Sequence, residues 1–344
     1  AGETSSNDGD VSSNHGANDY WVVKISSNDG RIIWQKTLGG SNWEVATSII
    51  ETSDGNLVVA GYTHSNDGDV SGNHSINDNS DYWVVKISAN DGRIIWQKTL
   101  GGSSYEIATS IIEISDGNLV VAGYTHSNDG DVSGYHGSDD AWVAKIDSND
   151  GGIIWQKALG GSGDDYAESM FSTLDGNLVV AGDTESNDGD VNGNHGAEDA
   201  WVVKISSVDG SIIWQKMLGG SSYEGANSII ETPIGDLVIA GYTDQNGFTD
   251  FWVVKISGGP STLQADYSDS VFAIVEPLPD AENIDMGKEL VGMGKDSVVT
   301  KFMKNIGSYP FRVDSIYITG ADASAFSLVA GLPQYTVAAN NTHR

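Results

Sequence analysis

The chain has 344 residues, 39% of them hydrophobic, and sets 17 lysines and arginines against 48 aspartates and glutamates, a formal charge of -31. That imbalance repels nucleic acid and anionic membrane surfaces, and the absence of any run of about 18 apolar residues excludes a membrane-spanning helix in the residues shown. Cysteine is absent, which removes disulfides, thiolate metal sites and cysteine nucleophiles. Of the 48 acids, 38 lie before residue 260, so the acidity belongs to the first three quarters of the chain.

That region is a repeat. Ala1-Gly2-Glu3-Thr4 aligns with the Ala-Gly-x-Thr elements that start at Ala60, Ala122, Ala181 and Ala240, a period of about 60 residues. The chain therefore opens inside a repeat and is expected to be a piece of a longer protein, so a missing leader sequence carries no information. After each element comes a loop, Ser-Asn-Asp-Gly-Asp-Val, at Ser6–Val11, Ser65–Val70, Ser127–Val132 and Ser186–Val191, with a histidine beyond it at His15, His74, His136 and His195. Next comes the stretch that recurs most faithfully. Asp19 to Lys36 reads DYWVVKISSNDGRIIWQK, returns from Asp81, Asp140 and Asp199, and begins a fifth time at Asp250 without its second half.

Each period predicts four strands: A around Ala46–Glu51, B at Leu57–Thr63, C at Tyr82–Ile87 and D at Ile94–Thr99. Asp-Gly pairs such as Asp29-Gly30 and Asp54-Gly55 supply residues that tolerate positive φ in tight antiparallel turns. The strands carry paired apolar residues (Val22-Val23, Ile32-Ile33, Val58-Val59), a pattern for sheets covered on both faces. A four-stranded unit of that size cannot cover both faces alone, so the units are expected to stack as the blades of a β-propeller. The fold class is all-β, with about five blades over residues 1–258, the first and last incomplete. The N-terminal C and D strands could close a four-bladed ring with the last A and B strands, but Asp250–Ser257 would then be surplus. An arc cut from a longer propeller is the preferred reading.

Residues 259–283 read as a linker. From Ile284 to the end, short strand-like runs with Gly-Ser and Gly-Ala turns predict a small β-sandwich. The repeat motifs D-x-W-V-V-K, D-G-x-I-x-W-Q-K, L-G-G and A-G-Y-T-x-S-N-D-G-D together resemble the propeller repeats of large secreted bacterial surface proteins. The C-terminal I-D-M-G, N-I-G-S-Y-P-F and I-T-G-A-D-A-S-A-F-S-L elements are similar to immunoglobulin-like domains of the ASPM and Hydin type, over residues 284–344, with the last strands expected to be missing. These resemblances imply an extracellular or cell-surface protein that serves adhesion or binding. Ser27-Asn28-Asp29-Gly30 with Trp34 also resembles the Asp-box hairpin of sialidases and the tryptophan-docking turn of quinoprotein propellers. A sialidase site needs clustered arginines, and here Arg31 and Arg93 occupy equivalent turns while only Arg312 and Arg344 remain. The vicinal cysteines of quinoprotein dehydrogenases are absent.

Two readings stand beside each candidate for chemistry. Trp21, Trp83, Trp142, Trp201 and Trp252, with Trp34, Trp96, Trp155 and Trp214, could stack sugars, but identical placement in every blade favours packing of one blade on the next. In the loops, Asp8, Asp10, Asp67, Asp69, Asp129, Asp131, Asp188 and Asp190 offer hard oxygen ligands suited to calcium. The rival reading makes them turn residues that add solubility. The loop histidines, one per blade, are expected to serve turns. Glu44, Glu106, Asp165 and Glu224 recur in the D-to-A connection, which leaves a propeller on the same side as the B-to-C loop, so one strongly acidic face is expected. No residue is assigned a catalytic role and no organic cofactor is expected. The leading reading is a non-catalytic binding protein for an extracellular protein or glycan. The alternative is a carbohydrate-active or carbohydrate-binding propeller that uses carboxylates on the acidic face.

Overall fold

The structure, a computed structural model, describes residues 1–75, 79–245 and 248–257 and five short strands beyond them. It divides into two units, Ala1–Ser261 and Thr262–Arg344. The first unit is built of consecutive antiparallel sheets. Strands β1 (Gly2–Thr4), β2 (Asp19–Ile25) and β3 (Ile32–Leu38) form the first sheet. Three complete sheets follow: β4 (Glu44–Glu51), β5 (Leu57–Thr63), β6 (Asp81–Ile87) and β7 (Ile94–Leu100); β8 (Glu106–Glu113), β9 (Leu119–Thr125), β10 (Asp140–Ile146) and β11 (Ile153–Leu159); β12 (Asp165–Ser172), β13 (Leu178–Thr184), β14 (Asp199–Ile205) and β15 (Ile212–Leu218). The last has three strands, β16 (Tyr223–Glu231), β17 (Leu237–Gln245) and β18 (Phe248–Ile256). These are propeller blades in the predicted A-B-C-D order. The first and last are two three-stranded sheets and do not merge into one.

Sequence patterning explains the stack. In β5, Val58 packs toward the third sheet with Ala60, Tyr82 and Leu100, while its neighbour Val59 packs toward the first with Tyr20 and Val22. Alternation along a strand sends successive side chains to opposite faces, so a doubly apolar strand serves two interfaces at once. Tryptophan anchors both. Trp83 and Trp142 are fully buried; Tyr20 lies 4.6 Å from the Trp83 ring and Tyr82 4.7 Å from the Trp142 ring, each across a sheet boundary. The Tyr20 and Tyr82 hydroxyls donate to the backbone carbonyls of Trp83 and Trp142 at 2.9 and 3.0 Å. The second tryptophan of each hairpin also reaches the next blade, since Trp34, Trp96 and Trp155 donate through Nε1 to the carbonyls of Ala89, Ser148 and Ser207.

Asp29-Gly30 lies in a four-residue loop, closed by Ser26 N–H donating to the Arg31 carbonyl at 2.8 Å, with Gly30 at φ +72°. The A-B turn is shorter: Thr52 N–H donates to Asn56, and Gly55 takes φ +77°. Every A strand from β4 to β16 carries a β-bulge, at Thr47, Thr109, Glu168 and Asn227. Gly61 is required beside it, because a Cβ there would run into the Val45 carbonyl.

In the second unit, β19 (Ile284–Asp285), β20 (Met303–Asn305) and β23 (Thr342–His343) pair antiparallel, as do β21 (Phe311–Val313) and β22 (Tyr335–Val337). Apart from these strands, the expected linker 259–283 and immunoglobulin-like domain 284–344 lie outside the described residues.

Candidate functional site

The register puts the starts of the A and C strands and the ends of the B and D strands on one face: Glu44 pairs with Thr63, and Thr63 with Asp81. All the loop aspartates, loop histidines and D-to-A acids therefore emerge together, as the repeat predicts.

Most of these groups are committed to structure. Asp67 Oδ1 accepts the Ser41 N–H at 2.8 Å, and Asp69 Oδ2 lies 3.3 Å from the Gly39 N–H, so the loop of one sheet clasps the Gly-Gly-Ser turn that arrives from the sheet before. Asp129 and Asp188 repeat the clasp on Ser103 and Ser162, each at 2.7 Å, and Asp131 does so on Gly101 at 3.4 Å. Asp190 reaches Gly160 through its own backbone N–H. Asp8 and Asp10 make no such clasp among the described residues; Asp8 accepts the Val11 N–H through its carbonyl at 3.1 Å. The Ser103 N–H and hydroxyl hold the Asp129 carboxyl below its ordinary range. Oxygens engaged by N–H donors are poorly placed to coordinate calcium, and among the described residues no three His, Asp or Glu side chains gather closely enough to hold a metal ion.

The histidines orient a buried acid. His15, His74, His136 and His195 each bond through Nδ1 to the aspartate that opens strand C, at 2.6–2.8 Å, while their backbone N–H groups donate to the same oxygen. Asp19, Asp81, Asp140 and Asp199 are fully buried, and the other oxygen of each, Oδ1, has no partner among the described residues. Facing them are Glu44, Glu106, Asp165 and Glu224: a Cβ on Gly39 would meet both Asp19 and Glu44. Burial pushes Asp81 and Asp165 up to about 6. Burial likewise raises Glu44, Glu106 and Asp140.

The fourth sheet breaks this symmetry. Where the other A-G-x-T elements carry Glu3, Tyr62, Tyr124 and Tyr242, it has Asp183; where the bulge carries Thr47, Thr109 and Asn227, it has Glu168. Asp164 stands in the column of Trp43, Tyr105 and Tyr223, Glu185 in that of His64, His126 and Asp244, and Glu198 in that of Asn18, Ser80 and Asp139. The Thr47 and Thr109 hydroxyls donate to Ala108 and Ala167 of the next A strand; Glu168 cannot repeat that bond and adds a half-buried charge instead. Asp139 is well satisfied, accepting from Tyr105 at 2.8 Å, Tyr166 at 3.0 Å and His126 Nδ1 at 2.9 Å. Tyr242 donates to Glu198 at 2.6 Å. Tyr124 meets Tyr166 edge-on at 4.8 Å, and His126 stacks on Tyr105 at 5.0 Å.

Asp183 differs from all of these. It is 8% exposed, and among the described residues no donor reaches its carboxyl. Burial, then the charges of Glu198, Glu168, Asp165 and Glu185, push it up to about 8. Burial also raises Glu168 and Tyr124, the latter to about 12. Consensus reading of the repeat missed this site, although the signal was present as departures from the repeat column by column. A separate open cleft of about 410 Å³ between the first and second sheets is bordered by His15, Lys36, Asp69 and Arg93 and has mixed charge.

Among known proteins, the family described as outer membrane protein assembly factor BamB matches residues 21–184 and again 80–256. The chain belongs to this family. The sheets are its PQQ-type propeller blades, and the two overlapping matches reflect the internal repeat. No curated protein matches the chain. A solved structure, the crystal structure of a protein of unknown function from Dyadobacter fermentans DSM 18053, is 16% identical, with a TM-score of 0.34, over 61% of this chain and 65% of that one. The chain thus spans less than two thirds of that structure's length.

Proposed function

We propose that this is a non-catalytic binding protein of the extracellular space or cell surface, whose propeller is a scaffold and whose ligand site is the asymmetric acidic and aromatic surface of the fourth sheet. The observation that carries this reading is Asp183. A buried carboxyl without a donor costs stability, and the chain places it where three other repeats have tyrosine. Such a local cost is expected where function, not folding, selects the residue. The partner is an extracellular protein or glycan, and the clasped loops and paired tryptophans keep the surface rigid. In this reading the C-terminal region is an immunoglobulin-like spacer, as in the secreted surface proteins that the repeats resemble.

The test is a panel of extracellular proteins and glycans probed with the wild-type chain and with D183Y, which restores the repeat. Binding that D183Y abolishes supports the site; binding that survives unchanged rejects it. A second reading has one observation in its favour: a carboxyl that keeps its proton at neutral pH could act as the general acid of a glycosidase, with Glu168 nearby. Turnover of polysaccharide substrates that is lost in both D183N and E168Q would establish that reading instead.

A further inference from the structure

We propose that the fourth-sheet surface recognises an organic cation, the ammonium group of a lysine-rich segment or of a polyamine, held between carboxylates and tyrosine faces. The inference rests on the binding reading above and names its ligand chemistry. Six carboxyl groups, Asp139, Asp164, Glu168, Asp183, Glu185 and Glu198, come together across two sheets, and among the described residues no lysine or arginine forms an ion pair with any of them; the ring paired there is His126, whose Nδ1 lies 2.9 Å from Asp139. Elsewhere the fold does supply cations: Lys86, Lys145 and Lys204 neutralise Asp54, Asp116 and Asp175 on the opposite face. The fourth-sheet surface therefore has an unmet need for positive charge.

Two carboxyls mark where that charge would go. Asp183, 8% exposed, has no hydrogen bond that offsets its burial, and Asp244, in the column of His126 and Glu185, buries an Oδ1 with no partner among the described residues. A bare metal ion does not suit the spacing, because no three acidic or histidine groups lie close enough to hold one. An ammonium group spans longer gaps, and the Tyr124, Tyr166 and Tyr242 rings offer faces that attract cations. A neutral sugar would leave the like-charge repulsion uncompensated.

The groups that face Asp183 are Asp165 and Glu168 on β12, Glu185 after β13, Glu198 before β14 and Tyr242 on β17. All are acidic, so a bound cation favours loss of the Asp183 proton, and binding is coupled to proton release.

The experiment is calorimetry on the full chain at pH 7, in two buffers of different ionisation enthalpy, with spermidine, hexalysine, maltohexaose and calcium chloride as probes. Spermidine or hexalysine is expected to bind with release of up to about one proton, and D183N to weaken binding about tenfold and abolish the release. E51Q, which removes an exposed charge from the far end of β4, is expected to change neither. The arm that binds more tightly distinguishes a free polyamine from a peptide side chain. Equal weakening by E51Q and D183N, tighter binding of calcium, or no binding of either amine overturns the proposal. Maltohexaose binding that D183Y abolishes overturns the cation while leaving the binding reading intact. Because D183N is isosteric, it remains informative even if D183Y fails to fold.

Discussion

Raising the pH from 5 to 8 is expected to destabilise the first unit, and Asp183 dominates the effect. Its carboxyl stands at about 8 in the folded chain, against an ordinary value of 3.8. A folded value above the unfolded one means that the native state holds the extra proton, so the stability is fully present below about pH 4 and is lost as pH rises through the folded value. Each unit of the interval costs about 1.4 kcal/mol, so Asp183 alone accounts for up to about 4 kcal/mol between pH 5 and 8. Asp81 and Asp165, at about 6, act in the same direction, and most of their loss falls between pH 4 and 6. Asp54 and Asp175, held low by Lys86 and Lys204, oppose the trend only at acid pH, and their exposure to solvent screens the effect. Urea unfolding of wild type and D183N at pH 5, 6.5 and 8 reads the difference. Wild type is expected to lose several kcal/mol across that range and D183N markedly less. Stability that rises from pH 5 to 8, or an identical slope in D183N, would refute the argument.

Other expectations follow from the packing. W142A removes a fully buried ring that spans the second and third sheets and is expected to cost about 3–5 kcal/mol, measured by denaturant midpoint; an unchanged midpoint would return the tryptophans to ligand binding. E168T restores the hydroxyl that Thr109 uses to bridge A strands, so it is expected to raise stability by about 0.5–1.5 kcal/mol while weakening binding; a destabilised variant would contradict the view that Glu168 is kept at a structural cost. Calcium at the loop aspartates is tested by melting with and without chelator. The clasp account expects the same transition in both, whereas a melting temperature that climbs with calcium would establish metal at Asp67, Asp69 and their equivalents.

The repeat made the architecture legible because the same strand and turn signals recur in one order, and errors in one copy are corrected by the next. Strand limits came within about two residues, as element ends usually do. The loop aspartates were harder to read. Their partners, such as the Ser41 amide for Asp67, lie 26 residues away in sequence, and a carboxylate that accepts turn amides has the same local signature as one that awaits calcium. Glu168 and Asp183 were obscured for the opposite reason. Both are visible as departures from Thr109 and Tyr124, yet reading the copies for what they share averages such departures away. What sequence could not supply was burial: only the packed sheets show that Asp183 has lost solvent without gaining a donor.

In this account the departures from the repeat in the fourth sheet, not the repeat itself, form the ligand site. Backbone hydrogen exchange, measured with and without whichever probe binds the wild-type chain, locates the footprint directly. Protection is predicted at residues 163–168, 183–186 and 196–200, with adjoining protection near Tyr105, His126 and Asp139. Equal protection at the matching positions of the other sheets, such as 42–47 and 62–65, would contradict it and return binding to the repeated loops.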